Sequence, residues 1–223
     1  MIAASEIAGR KCRFYGSDRP EVILIQLSAR HENATIDSEV AKIVELSSRP
    51  FVLAAVELED WTVGLMPWWD GNVSRDPEAG THAGETLDFV TMELLPELKR
   101  RFGELPVVLG GYSLGGLFAL WASSQTDVFQ GIAAASPSVW IHGWLQFARK
   151  NPTRAKRVYL SLGDREELVK NQAIARVGDN IRAQYELLQS QLGPANCTLV
   201  WEEGGHFTDN DGRLARAFGW CLS

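Results

Sequence analysis

Serine, histidine and a carboxylate form a nucleophilic relay when a chain brings them together, and this 223-residue sequence holds one serine in the setting such chemistry demands. Gly111-Tyr112-Ser113-Leu114-Gly115 fits the pattern G-x-S-x-G. In that pattern a sharp strand-to-helix turn lifts the hydroxyl clear of the chain, and the glycines let strand and helix approach without Cβ clashes. The helix that follows offers a developing oxyanion the positive end of its dipole and the N–H of Leu114. The partners of such a serine come in the order acid, then histidine. Of His31, His82, His142 and His206, only His206 lies beyond the last apolar run, after the turn Glu202-Glu203-Gly204-Gly205. It is the expected base. The acid is expected just after Gly163, where Asp164, Glu166 and Glu167 compete. Asp164 and Glu167 stand at capping-box spacing, which gives both a structural explanation. Glu166 is then the residue to orient His206 and stabilise its imidazolium. Asp164 is the alternative, with Glu167 or a bare Ser–His dyad behind it.

These side chains need a scaffold that delivers them to one edge. Short β-branched runs at 22–27, 51–56, 106–110, 131–135, 158–162 and 197–201 alternate with amphipathic stretches. That alternation is the mark of a mostly parallel sheet with helices on both faces. Residues 11–15 are expected as an added antiparallel edge strand. Helical spacing of apolar residues predicts helices over 38–48, 87–102, 113–124, 180–192 and 214–222. Ser113 then falls in the turn between one strand and one helix. The stretch 57–86 reads as a long loop. Only about 20 residues separate the strands at 131–135 and 158–162, too few for an inserted lid domain, so an open site is expected.

Length and an apolar content of 45% fit one domain over residues 1–223. The net charge of −6 is modest and interspersed, which argues against nucleic acid or an anionic membrane as partner. Cys12, Cys197 and Cys221 are widely spaced and odd in number, so they read as reduced, buried thiols. With no signal-like start and no apolar run of about 20 residues, a cytoplasmic protein is expected.

Gly110-Gly-Tyr-Ser-Leu-Gly-Gly-Leu-Phe-Ala-Leu-Trp-Ala122, Ser136-Pro-Ser-Val-Trp140, Leu162-Gly-Asp-Arg-Glu166 and Gly204-Gly-His206 resemble the putative-esterase branch of the α/β-hydrolases, which includes the enterochelin (ferric siderophore) esterases. The similarity runs from about Val22 onward, with the blocks in the family's order. It implies an α/β-hydrolase fold and ester hydrolysis as the activity, whereas the additional N-terminal domain of siderophore esterases is a feature this sequence is expected to lack. It also implies an acid three residues after the strand-ending glycine, at Glu166. The arginine that siderophore esterases place after the strand equivalent to 51–56 has no counterpart in Glu57-Leu58-Glu59-Asp60-Trp61. The resemblance therefore carries the chemistry and leaves the substrate open.

A second oxyanion donor is expected from a backbone N–H among Leu27, Ser28 and Ala29, with Ser28 the choice. Trp61, Trp68, Trp69 and Trp140 fall in loops at the carboxyl edge of the sheet, and Trp61, Trp68 and Trp140 are taken as walls for an apolar acyl or aryl group; core packing explains them equally well. Asp209-Asn-Asp-Gly212 fails as a calcium loop because Phe207 stands where an acidic ligand is required. No cofactor and no metal are expected, and the partner is a small-molecule ester. The rival readings are thioester hydrolysis, peptide hydrolysis or acyl transfer on the same triad, and a non-catalytic hydrolase-like binding protein.

Overall fold

The structure, a computed structural model, describes residues 1–29 and 35–223. The chain begins with a hairpin, β1 (Ala3–Ile7) and β2 (Arg10–Gly16), then runs through β3 (Val22–Ala29), α1 (Ile36–Leu46) and β4 (Phe51–Leu58). Two helices, α2 (Trp61–Leu65) and α3 (Ala83–Asp88), lead through a wide π turn at Phe89–Leu94 into α4 (Leu95–Phe102). Next come β5 (Val107–Tyr112), α5 (Leu114–Gln125), β6 (Gly131–Ala135), α6 (Trp144–Lys150) and β7 (Arg157–Gly163). A 3₁₀ turn at Glu166–Leu168, α7 (Gln172–Ala175), α8 (Val177–Leu192), β8 (Cys197–Glu202) and α9 (Asn210–Leu222) complete it.

The strands form one 8-stranded sheet in the order β1-β2-β4-β3-β5-β6-β7-β8. From β4 to β8 every pairing is parallel, whereas β2 is antiparallel to both β1 and β4. The parallel strands β3 to β7 are buried on both faces, which is why they stand out in sequence as largely apolar runs, whereas β8 at the edge is mostly half-exposed. One face packs under α1 and α9 around Ile36, Ile43, Leu214 and Phe218. The other carries Leu98, Phe118, Trp144 and Ile181 from α4, α5, α6 and α8.

The expected edge strand at 11–15 lies one place in from the edge, because β1 folds outside it. Ala8 at φ 44° and Gly9 at φ 79° make the tight two-residue turn between them, with Ile7 opposite Arg10. Within the expected loop at 57–86, Asp60 Oδ1 accepts the N–H of Val63 and so caps α2, and α3 begins at Ala83. The π turn has a local cause: Pro96 supplies no N–H to the helical ladder, and Leu95 donates five residues back to Val90. Between β6 and β7 the only regular helix is α6, and no lid is inserted.

Candidate active site

Ser113 occupies the single residue between β5 and α5, at φ 54° and ψ −115°. This backbone is costly for a residue with a Cβ and persists only where its surroundings fix it. They do so by direct bonds. The Ser113 N–H donates to Ala135 O at 3.0 Å, and its carbonyl accepts the N–H groups of Leu117 and Ser138, both at 3.0 Å. The turn also requires Gly111, where an added Cβ would lie 2.5 Å from the Gly115 carbonyl carbon.

Ser113 Oγ lies 2.9 Å from His206 Nε2, and His206 Nδ1 lies 2.6 Å from Glu166 Oε2. A carboxylate so close to Nδ1 fixes the proton there, which leaves Nε2 to accept from the serine hydroxyl. Ser138 Oγ, at 3.2 Å, then donates to Ser113 Oγ. Glu166 is 4% exposed, and its other oxygen, Oε1, accepts from Gly163 N–H and Ser136 Oγ at 2.8 Å and from Arg213 Nη1 at 2.9 Å. Burial by itself would raise the Glu166 carboxyl. The bond and charge of His206 and the donors at Gly163 and Ser136 outweigh it and hold the group below its usual range. His206, with a side chain 30% exposed, faces solvent, so the site is open.

The other two carboxylates of this loop go elsewhere. Asp164 Oδ1 accepts Gly204 N–H at 2.8 Å, and Glu167 makes a two-pronged pair with Arg182, both contacts at 2.8 Å. The capping-box expectation is corrected: the 3₁₀ turn at Glu166–Leu168 has Arg165 at its N-cap and no side-chain cap. Asp164 instead braces the glycine turn that presents His206.

Leu114 is the first residue of α5, where N–H groups have no partner within the helix. Ser28 is placed less favourably. Ile23 N–H donates to Pro106 O, toward β5, so alternation along β3 turns the Ser28 N–H toward β4 and away from Ser113. Its hydroxyl also bonds Val56 O, at 3.3 Å. Of the three residues considered, Leu27 and Ala29 face the β5 side, and the choice of Ser28 is corrected on this ground. His31 lies outside the described residues. The His82 ring bonds Thr81 Oγ1 at 2.6 Å through Nδ1, and the backbone N–H of His142 donates to Asp70 Oδ2.

Trp61 is brought to the site: its ring lies 2.9 Å from where a Cβ on Gly115 would stand. Trp68 is not presented as a free wall. It stacks on Trp144 at a centroid distance of 6.2 Å and packs at a tilt against Phe147 at 5.2 Å, and its indole N–H bonds His142 O. Trp140 is half-buried two residues beyond Ser138, and Trp69 is exposed. A separate cavity of about 650 Å³ lies between the β1–β2 turn and α2–α3, walled by Arg10, Glu59, Asp60, His82 and Glu85 rather than by Ser113 or His206.

Four residues around the relay were not singled out in sequence: Tyr112, Ser136, Ser138 and Arg213. Ser136 and Ser138 sit in the block Ser136-Pro-Ser-Val-Trp140, which carries resemblance but no pattern of its own for their roles. Arg213 did leave a signal: it shares the apolar stripe of α9 with Ala217 and Cys221, four and eight residues on, where a cation has no reason to be unless it is partnered.

A parallel sheet with a strained serine between strand and helix, facing a histidine beyond the last strand, defines an α/β-hydrolase. A family model described as "Putative esterase" matches residues 54–206, and the chain belongs to that family of carboxylic ester hydrolases. No relative is found among curated protein sequences. Among solved structures the chain is similar to the siderophore hydrolase EstA from Aspergillus nidulans, with TM-score 0.79, 20% identity, and coverage of 99% of this chain and 93% of that one. An IroE-like serine hydrolase from Shewanella oneidensis gives TM-score 0.76 at 18% identity, covering 96% and 75%. The enterochelin esterase from Shigella flexneri gives TM-score 0.69 at 19% identity, covering 100% of this chain and 60% of that one. No helix among the described residues is long and apolar enough to cross a membrane.

Proposed function

We propose that residues 1–223 act as one catalytic domain that hydrolyses small-molecule carboxylic esters through an acyl-enzyme. Ser113 Oγ attacks the ester carbonyl while His206 Nε2 takes its proton. Glu166 keeps His206 in the reactive tautomer and stabilises the imidazolium, and the N–H of Leu114 donates to the oxyanion. His206 returns the proton to the leaving alcohol, and a water activated by the same imidazole then releases the acid. The observation that carries this reading is the unbroken chain of contacts from Ser113 Oγ to His206 to Glu166, at 2.9 and 2.6 Å.

The buried thiol state of the three cysteines is compatible with a reducing, cytoplasmic setting. Neighbours named as siderophore hydrolase and enterochelin esterase make siderophore esters a reasonable part of a substrate panel, beside simple acyl esters of graded length and matched thioesters and amides. The deciding experiment is fluorophosphonate labelling with peptide mapping, paired with ester turnover. Wild type should be labelled at Ser113, and Ser113→Ala should lose about 10⁶-fold in kcat, as triad knockouts do. Turnover unchanged in Ser113→Ala would overturn the assignment.

A further inference from the structure

We propose that Arg213 is a positioning residue for the triad: one buried guanidinium ties together the three chain segments that carry Ser113, Glu166 and His206. This rests on the catalytic reading above and goes beyond it.

Arg213 is fully buried on α9. Its Nη1 donates to Glu166 Oε1 at 2.9 Å, and also reaches Ser136 Oγ and Tyr112 OH, both at 3.2 Å. Its Nη2 donates to Glu203 O at 2.9 Å. Tyr112 immediately precedes Ser113, and its hydroxyl donates to His206 O at 2.7 Å. The same cation thus touches the end of β5, the acid after β7 and the turn after β8 that presents His206. The chain makes room for it: a Cβ on Gly163 would lie 2.8 and 2.9 Å from the two guanidinium nitrogens.

The charge pattern explains why an arginine stands here and not an apolar residue. Glu166 is shielded from water, and the ionisable groups facing it are His206 on Oε2, Arg213 on Oε1 and Tyr112 beside Arg213. With Arg213 on Oε1, the carboxylate presents only Oε2 to the imidazole and stays anionic when His206 becomes protonated. The proton taken from Ser113 therefore remains on His206, available for the leaving alcohol, and does not pass to Glu166. Without Arg213, a buried carboxylate would be free to turn and to protonate as the pH falls.

The test compares wild type with Arg213→Lys, Arg213→Met and Ser136→Ala, using a p-nitrophenyl ester from mildly acidic to neutral pH. In Arg213→Met, kcat should fall about 100-fold through misplacement of His206 and Glu166, with KM within about twofold. The acid limb of kcat/KM should move up by about one pH unit. The low-field proton resonance of His206 Nδ1–H should be lost in Arg213→Met and kept in Arg213→Lys, whose limb lies between the two. Ser136→Ala, which removes one donor from the same oxygen, should move the limb in the same direction by less. An Arg213→Met protein that is folded by circular dichroism and keeps both the wild-type limb and the low-field resonance overturns the proposal. If Arg213→Met does not fold, an unmoved limb in both Arg213→Lys and Ser136→Ala overturns it. Fluorophosphonate labelling separates the two levels: no label on wild-type Ser113 defeats the triad, whereas a labelled Ser113 with unmoved limbs defeats only the role of Arg213.

Discussion

Replacing Gly111 and Gly115 separately by alanine tests whether the turn at Ser113 is as tight as its chemistry requires. In Gly111→Ala the new methyl would lie 2.5 Å from the Gly115 carbonyl carbon, 2.7 Å from its oxygen and 2.8 Å from its Cα. Carbon atoms settle at about 3.5–4.0 Å, so β5 and α5 must part by about 1 Å, and all three obstacles are main chain with no rotamer to yield. A shift of that size at a 2.9 Å Ser113–His206 contact should cost about 100-fold in kcat. Overpacking adds about 1–3 kcal/mol of destabilisation, which for a chain of this length lowers Tm by roughly 2–12 °C. Gly115→Ala meets a different neighbour, the Trp61 ring at 2.9 Å, which can tilt away. Its stability should stay within about 1 kcal/mol of wild type, because alanine gains about that much in a helix. Its kinetic change should fall on KM, since Trp61 packs on Gly115, two residues beyond Ser113. The assay is ester turnover with thermal unfolding on the same preparations. Wild-type kcat and Tm in Gly111→Ala, or an equal loss of kcat in both variants, would refute the reasoning.

Two further outcomes follow from the titrating groups. Because Glu166 is held below the ordinary glutamate value of 4.5, its ionised form stabilises the folded state fully above that value, and the contribution is lost as pH falls through the lower folded value. Urea unfolding at stepped acidic pH should therefore show a falling stability in wild type that is flatter in Glu166→Gln, and parallel slopes would count against the carboxylate being ionised in the fold. Burial pushes the Cys12 thiol up to about 11 and the Cys221 thiol up to about 12, and raises Cys197 as well. Ellman's reagent at mildly alkaline pH should find all three thiols only after denaturation, and a thiol that reacts rapidly in the native protein would contradict their burial.

The parallel sheet was legible because strands buried on both faces are apolar at most positions, so β3 to β7 show as runs that few polar residues interrupt. The same rule explains what was not legible. Four of the five positions of β1 carry exposed or half-exposed side chains, so it has no apolar rhythm, and its turn is Ala8-Gly9 rather than the Asn-Gly that usually announces a hairpin. α2 is only five residues long and begins on a tryptophan, so its sign is the cap at Asp60 and not periodicity. The direction of the Ser28 N–H was beyond reach for another reason: sequence locates a strand to within a residue or two, and one residue decides which neighbour an N–H faces.

Around Ser113 the limit of sequence reasoning lies between contacts along the chain and contacts across it. Asp164, Glu166 and Glu167 are equivalent carboxylates in sequence and become distinct mainly through partners 15 to 47 residues away: Gly204 for Asp164, Arg182 for Glu167, and Ser136, His206 and Arg213 for Glu166. Each partner requires its carboxylate to point in one direction, and the three directions together leave one side chain buried against His206. Local spacing could rank Glu166 first only by giving Asp164 and Glu167 other work, and the work proposed for them, a capping box, is not the work they do. What separates the three is burial with compensation: the carboxylate with the least access to water is the one that has gathered four donors, including a guanidinium that α9 supplies from its apolar face. An ionisable residue on an apolar helix stripe near a catalytic block is therefore the sequence feature to read first when several acids compete, because its burial must be compensated by one of them.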